Sequence, residues 1–310
     1  MSCEPQCNLI IDTTCDLPFE VVDVPGVEVI NFPYIMGNCE HLDDFFQSVT
    51  PKEFYGQMRK GEAPTTAQVP ITVFNDMFTR AIEGGVPTVY ISFTSGLSGS
   101  YNTAVLVRDQ LVAAHPEAEL YVVDSKLASI AEGLVVYEAI RQRNAGLTAK
   151  ELVEWVDEAR YYVNELFTLD TLEWLKRGGR IPSSVALAGS KLDVKPMLEI
   201  TLDGKLGIVG VARGRKKAIR QLVDYYAKNA VSDGSSKLVV IGQADCPKDV
   251  ERLKSELLKI DDGLMFLDAN IGPVIGSHVG PGMLAMVFWG RDMREATTVS
   301  DRIARKVRRQ

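Results

Sequence analysis

ISFTSGLSGSYNTA, residues 91–104, is the stretch of sequence that decides the fold. It follows a β-branched and aromatic run, continues through six small residues at 94–99 and then takes on helical periodicity from Ser100. The pattern predicts a buried strand, a tight hydroxyl-lined loop and a helix N-terminus. Such a junction suits an anion such as a carboxylate or a phosphate, because it offers free backbone N–H groups at the positive end of a helix dipole. A plain strand-to-helix turn fits this segment equally well.

Strand and helix patterns alternate on both sides of this stretch. Short apolar runs at residues 9–12 and 120–124 predict buried strands, and residues 71–83 have the periodicity of a helix. Thr50 and Thr148 each begin a capping box, which marks the start of a further helix. The regular alternation predicts an α/β fold with a parallel sheet that is covered by helices on both faces.

The pattern changes near Arg160. Beyond it, Asp203-Gly204 between two apolar segments predicts a β-hairpin and therefore antiparallel structure. We predict two domains, an N-terminal α/β domain over residues 1–160 and a C-terminal α+β domain with a mixed sheet over residues 161–310. The length of 310 residues agrees with this division, because domains commonly hold about 100 to 200 residues.

Composition argues against several classes of protein. A net charge of −7 disfavours general nucleic-acid binding, and the basic cluster at residues 302–309 fits a solvated helix end. No apolar run reaches the roughly 18 residues that span a bilayer, and the N-terminus lacks the apolar core of a signal peptide. We therefore expect a cytoplasmic protein without stable membrane insertion, and leave transient membrane contact open. Five cysteines without C-x-x-C spacing and three scattered histidines predict neither disulfides nor a metal site.

The hydroxyl loop also has a catalytic interpretation. Residues 96–100, GLSGS, miss the G-x-S-x-G nucleophile motif at its last position. Ser95 or Ser98 with His278 as the base would make a serine-dependent acyl hydrolase or transferase. Hydroxyls that have neither a base nor a metal beside them serve more readily as hydrogen-bond donors, so binding is the favoured use.

Four other segments have a structural and a functional interpretation. Residues 12–16, DTTCD, resemble an acidic phosphotransfer site, but a loop capped by its own side chains is favoured. Residues 176–180, KRGGR, end a helix predicted over 168–180 and form either an anion nest or, as favoured, a helix C-cap. A small-residue helix is predicted over 181–190. Residues 213–217 place cations at a helix start, which suggests either a docking face for a negative partner or a solvated face.

Seven motifs in this order resemble the DegV family of bacterial fatty-acid-binding proteins: IIDTTCDLP, TTAQVP, ISFTSGLSGSYNTA, VVDSK, TLEWLKRGGRI, KPMLEITLDGKL and GSHVGPG. The resemblance runs from about Leu9 to about Trp289. It implies two α/β domains that hold one long-chain fatty acid in a tunnel between them, with no catalysis and no cofactor. Several members are binding subunits that present the acyl carboxylate to a separate fatty acid kinase, so the resemblance also implies a role in phospholipid metabolism.

The resemblance implies residue roles as well. Its carboxylate ligands correspond to Thr66, Thr94, Ser95, Ser98, Arg180 and His278. Arg213 matches an arginine that is implicated in kinase docking in some members. Ala67 replaces the family's usual serine and Thr94 stands where serine is commoner, so chain-length preference and head-group geometry stay open.

Overall fold

The structure is a computed structural model and describes residues 4–181, 193–231 and 237–295. The strands within these residues are β1 (Asn8–Asp12), β2 (Val27–Ile30), β3 (Pro33–Met36), β4 (Cys39–Leu42), β5 (Thr65–Thr66), β6 (Thr88–Ser92), β7 (Leu120–Asp124), β8 (Val163–Thr168), β9 (Val194–Ile200), β10 (Leu206–Arg213), β11 (Leu238–Gln243), β12 (Met265–Asn270) and β13 (Leu284–Trp289). The helices are α1 (Phe19–Val22), α2 (Pro51–Arg59), α3 (Ile71–Glu83), α4 (Ser100–Ala114), α5 (Ile130–Asn144), α6 (Ala149–Ala159), α7 (Glu173–Arg177), α8 (Arg215–Asn229), α9 (Pro247–Leu257) and α10 (Pro273–Val279).

The first sheet is parallel and has the order β2-β1-β6-β7. All five residues of its strand β6 are buried, because helices pack against the sheet, and the chain enters α4 at Ser100 after a short loop. Helices α3 and α4 pack against each other, as do α5 and α6. The predicted parallel sheet and the predicted order of strand, loop and helix are confirmed.

The second large sheet is mixed and has the order β10-β9-β8-β13-β11-β12. Strands β11 and β12 are parallel, and the other neighbours are antiparallel. The hairpin between β9 and β10 turns at the predicted Asp203-Gly204, where Gly204 has a φ of +79° that favours glycine. A third, small antiparallel sheet has the order β4-β3-β5. The predicted mixed sheet is confirmed.

Two stretches differ from the sequence-based expectation. The helix predicted over 168–180 is shorter, since residues 163–168 form β8 and only residues 173–177 are helical. Pairing with β13 and β9 takes Thr168 into β8, and a local helical pattern does not register such pairing. The run after residue 272, for which no helix was predicted, contains α10. Most of the small-residue helix predicted over 181–190 and the basic cluster at 302–309 lie outside the described residues.

The two halves of the chain share a core. The parallel sheet uses residues up to Asp124 and the mixed sheet begins at Val163, close to the predicted boundary at Arg160. Helix α5 nevertheless packs against β8, β11 and β13, and one buried apolar cluster contains residues of both halves, such as Ile11 and Val287. The division into domains 1–160 and 161–310 stays a prediction.

Carboxylates of the first half anchor α10. Asp16 accepts a hydrogen bond from the backbone N–H of Gly272 at 2.9 Å, and Asp43 accepts one from Val274 at 3.5 Å. Asp16 follows a short 3-10 turn that Asp12 caps through the N–H of Thr14, which confirms the capped-loop interpretation of residues 12–16. These bonds fix the helix that carries His278. No helix among the described residues is both long enough and apolar enough to cross a bilayer.

Candidate functional site

A cavity of about 300 Å³ lies between the carboxyl ends of the parallel strands and one face of the mixed sheet. Its volume falls within the usual range of small-molecule sites. The lining is mainly apolar, and the apolar side chains come from the loops after β2, β6 and β7, the mixed sheet, α7 and α10. They include Phe32, Phe93, Leu97, Ile130, Phe167, Leu175, Ile200, Leu206, Val274, Ile275, Val279, Met283 and Ala285.

Four of the six predicted carboxylate ligands line this cavity. Thr66 comes from the short strand β5, Ser98 from the loop before α4, Arg180 from the turn after α7 and His278 from α10. These positions are distant in sequence, and the three sheets bring them to one cavity. Ser98 is also bonded within its own loop, since its hydroxyl lies 3.1 Å from the hydroxyl of Ser100.

Thr94 and Ser95 are placed differently and are not among the lining residues. The Thr94 hydroxyl donates to the carbonyl of Gly204 at 2.9 Å and so joins the loop to the β9–β10 turn. The Ser95 hydroxyl accepts a hydrogen bond from Lys126 at 2.8 Å, and its N–H donates to Asp124 at 3.2 Å. Both residues hold the loop in position, and their role as carboxylate ligands stays a prediction.

His278 is a neutral, buried imidazole. Burial and the nearby Arg180 lower its pKa to about 4, so the ring carries no charge at neutral pH. Its Nε2 lies 2.8 Å from the Thr66 hydroxyl, and its Nδ1 is buried without a partner among the described residues. If Nε2 carries the proton, it donates to Thr66 and leaves the threonine O–H free; if Nδ1 carries it, Nδ1–H is free. Because Nδ1 is buried against Gly178, the first tautomer is the one that leaves a donor, the Thr66 O–H, within reach of an acceptor in the cavity.

A glycine turn after α7 makes room for the histidine ring. The N–H groups of Gly179 and Arg180 donate to the carbonyls of Lys176 and Leu175, and Gly179 has a φ of +71°. This is a Schellman C-cap, so the favoured interpretation of residues 176–180 is confirmed. The turn places Gly178 against His278, where a Cβ would lie 2.1 Å from Nδ1.

Arg180 is a half-buried cation without an anionic partner. Its guanidinium donates to the carbonyls of Gly178 at 2.6 Å and Leu97 at 3.3 Å. Within residues 4–181, 193–231 and 237–295, Arg180 forms no ion pair, and burial lowers its pKa. Removing a charged group from water costs free energy unless an opposite charge or strong hydrogen-bond acceptors contact it. Arg180 therefore gives the apolar cavity a binding position for an anion.

We expect Gly178→Ala to displace His278 and to weaken ligand binding by roughly tenfold, because the new methyl group overlaps Nδ1 and breaks the bond to Thr66. Gly178 has an ordinary helical φ, so the backbone itself tolerates alanine. Calorimetric titration with a ligand of the cavity measures the loss. Gly56→Ala is the control, since nothing lies within 4 Å of its added Cβ. If Gly178→Ala weakens ligand binding by the same factor in a His278→Ala background, the steric contact is not the cause.

Sequence reasoning missed four polar residues of the lining, Thr14, Gln68, Ser129 and Glu165. The available signal for Glu165 was an acidic residue inside the otherwise strand-like run VNELFT. His278 bonds to Thr66, and neither Ser95 nor Ser98 has a hydrogen bond to its ring. In the described part of the chain, no group of three or more His, Cys, Asp or Glu side chains is arranged to hold a metal ion.

Comparisons with known proteins place the chain in context. A family model described as an uncharacterised protein of the DegV family matches residues 6–291. A DegV domain-containing protein of Clostridium perfringens is 34% identical over 282 residues, which cover 91% of this chain and 97% of that protein. A structure reported for fatty acid binding, of a DegV family protein from Thermus thermophilus, has a TM-score of 0.79 at 26% identity and covers 92% of this chain and 100% of that one.

A more distant structure shows the same fold. It is the fatty acid kinase (Fak) B3 protein of Streptococcus pneumoniae loaded with linoleic acid, with a TM-score of 0.79 at 20% identity. The match covers 92% of this chain and all of that one.

Proposed function

The chain belongs to the DegV family, and we propose on that basis that it binds one long-chain fatty acid in the cavity and holds the carboxylate beside Arg180. In this proposal the protein is a binding protein and carries out no chemistry itself. The relative from Thermus thermophilus, described as fatty acid binding, supports the ligand class. The remaining support comes from the site of this chain.

The single observation that carries the proposal is an unpaired guanidinium at the wall of an apolar cavity. The ligand that satisfies both features has an anionic head and an apolar tail. Each methylene that the cavity removes from water contributes roughly 0.8 kcal/mol, so a long acyl chain supplies most of the binding free energy. The buried carboxylate needs hydrogen bonds and a counter-charge, and Arg180 provides the charge.

We assign the other head-group contacts to neutral donors. Thr66 and His278 together keep one free donor, and Ser98 lines the same cavity. A neutral imidazole suits this position because its Nε2–H leaves the Thr66 O–H free for the carboxylate and adds no second positive charge beside Arg180. Thr94 and Ser95 contribute to the proposal by fixing the loop that carries Ser98.

The ligand's identity can be tested on the purified protein. Denaturing extraction followed by lipid mass spectrometry is expected to release about one long-chain fatty acid for each protein chain. The delipidated protein is expected to take up added fatty acid and to unfold at a higher temperature with it, because a ligand that binds only the folded state stabilises that state. Absence of both carried and added fatty acid would contradict the proposal.

The proposal includes a partner, a separate fatty acid kinase that phosphorylates the presented carboxylate. Arg213 ends β10, and Lys216 and Lys217 follow on the first turn of α8, all three exposed. Arg215 between them pairs with Asp249 at 2.8 Å and faces inward. These three exposed cations lie at a helix start, where the helix dipole disfavours them. They fit a docking face for a partner whose surface is negatively charged.

We expect Arg213→Glu to lower acyl phosphate formation by the organism's fatty acid kinase by tenfold or more, because it places a negative charge against a negative surface. Fatty acid affinity should not change, since Arg213 does not line the cavity. The measurement compares kinase turnover and ligand affinity for each variant. Lys228→Glu, an exposed charge reversal at the far end of α8, is the matched control. Reduced affinity with unchanged kinase turnover would reverse the assignment.

A further inference from the structure

Glu165 is a buried carboxyl group in the wall of the acyl cavity. It lies on the central strand β8, and only 8% of its surface is exposed. Strand β8 pairs with β9 only at Phe167–Leu198 and Thr168–Met197, so the two strands separate before Glu165. Glu165 Oε1 accepts a hydrogen bond from the N–H of Ile200 at 2.7 Å. This bond takes the place of a backbone hydrogen bond between β8 and β9 at Ile200.

The second oxygen of Glu165 is free for a ligand. Oε2 has no hydrogen-bond partner among the described residues, and the side chain lies in the wall shared with a smaller neighbouring cavity of about 240 Å³. Burial, together with the nearby Glu199, raises the pKa of Glu165 to about 8, so the carboxyl group is protonated at neutral pH. One oxygen therefore accepts from Ile200, and the other carries an O–H that points to no protein acceptor.

Glu165 meets the acyl chain away from the head group. His278 lies in α10. From Met283 the cavity wall follows β13 and β8, where Ala285 pairs with Phe167 and Val287 pairs with Glu165. From Met283 to Val287 the strand advances by four residues, about 13 Å at roughly 3.3 Å per residue. If the carboxylate is held beside Arg180 and His278, this length of wall is available for the acyl chain, and we place its middle beside Glu165.

We propose that Glu165 is a specificity residue that selects fatty acids with a hydroxyl group along the chain. This inference rests on the proposed function. An unsubstituted acyl chain presents only methylene groups to the Glu165 carboxyl group. The Glu165 O–H then has no hydrogen-bond partner in the apolar cavity, which weakens binding. A hydroxyl group on the chain carbon nearest Glu165 accepts a hydrogen bond from the Glu165 O–H. Sites that bond a ligand hydroxyl discriminate strongly against analogues that lack it.

The test measures the affinities of delipidated protein for stearic acid and for a positional series of monohydroxystearic acids. We expect at least one isomer to bind about tenfold more tightly than stearic acid to the wild-type protein. Glu165→Gln should keep this preference, because the amide carbonyl still accepts from Ile200 and the NH₂ still donates. Glu165→Leu should abolish the preference by removing the donor.

Two controls make the outcomes decisive. Leu202→Ala changes a largely exposed side chain that lines the smaller cavity and is absent from the lining of the acyl cavity, so it should leave the ratio of affinities unchanged. Stearic acid affinity and the thermal midpoint of each variant show that the fold is retained. If stearic acid binds but every hydroxy isomer binds more weakly, or if Glu165→Leu leaves the ratio unchanged, this inference is wrong and the proposed function stands. If stearic acid itself does not bind, the proposed function fails.

Discussion

Arg180→Met is expected to lower the affinity for a long-chain fatty acid by about a hundredfold, because the carboxylate loses its counter-charge in a water-poor cavity. Methionine keeps most of the apolar stem, so packing against the cavity wall is largely preserved. The guanidinium has no acidic partner among the described residues, so its removal leaves no protein carboxylate uncompensated there. Fluorescence displacement or calorimetric titration of delipidated protein measures the change.

The same experiment with the matching fatty alcohol separates charge from packing. The alcohol carries no negative charge, so Arg180→Met should weaken its binding only a few-fold. Lys176→Met, which removes an exposed cation from the end of α7, is the matched control and should change neither affinity. Equal losses for acid and alcohol would show that Arg180 acts through the shape of the cavity and not through its charge.

Asp12→Ala is expected to lower the free energy of unfolding by about 4 kcal/mol, since buried donors lose their acceptor. The fully buried carboxylate accepts from the N–H groups of Thr14 and Phe93, at 3.1 and 3.0 Å, and from the hydroxyl of Tyr90 at 3.1 Å. The Thr14 hydroxyl is a fourth donor to it. Asp12 thereby ties the end of β1 to the start of the loop that carries Ser98. Urea unfolding with far-UV circular dichroism measures the loss.

Milder changes at the same position test the acceptor role. Asp12→Asn should also destabilise by several kcal/mol, because an NH₂ group then faces donors. Tyr90→Phe removes a single hydrogen bond and should cost about 1 kcal/mol. Asp23→Ala changes an exposed aspartate near the end of α1 and should be close to neutral. If Asp12→Asn proves as stable as the wild type, the carboxylate is not needed as an acceptor.

The elements that sequence reasoning predicted best carry their signals locally. Both capping boxes, at Thr50 and Thr148, form as expected, and the helix over residues 71–83 has the predicted limits. The Asp203-Gly204 hairpin belongs to the same group. In each case the side chains that decide the backbone lie within a few residues of one another. Strand β8, which depends on pairing with β13 and β9, was not predicted, and its last residue, Thr168, was assigned to a helix.

The candidate site shows the same division. The motif order indicated the family and the candidate ligands, and the structure brings Thr66, Ser98, Arg180 and His278 to one cavity. It places Thr94 and Ser95 outside the lining, although they belong to the same loop as Ser98, because a tight loop directs its hydroxyls to different neighbours.

The sequence by itself determined the alternation of strands and helices, the hairpin, the family and the chemical types available for an anion site. Only the tertiary structure decided which hydroxyls reach the cavity, that Arg180 has no protein carboxylate beside it among the described residues, and that Glu165 is buried at the point where β8 and β9 separate. The physical reason is that burial and partnership depend on residues far apart in the chain. Glu165 and Ile200 become neighbours only when β8 and β9 pair and then diverge.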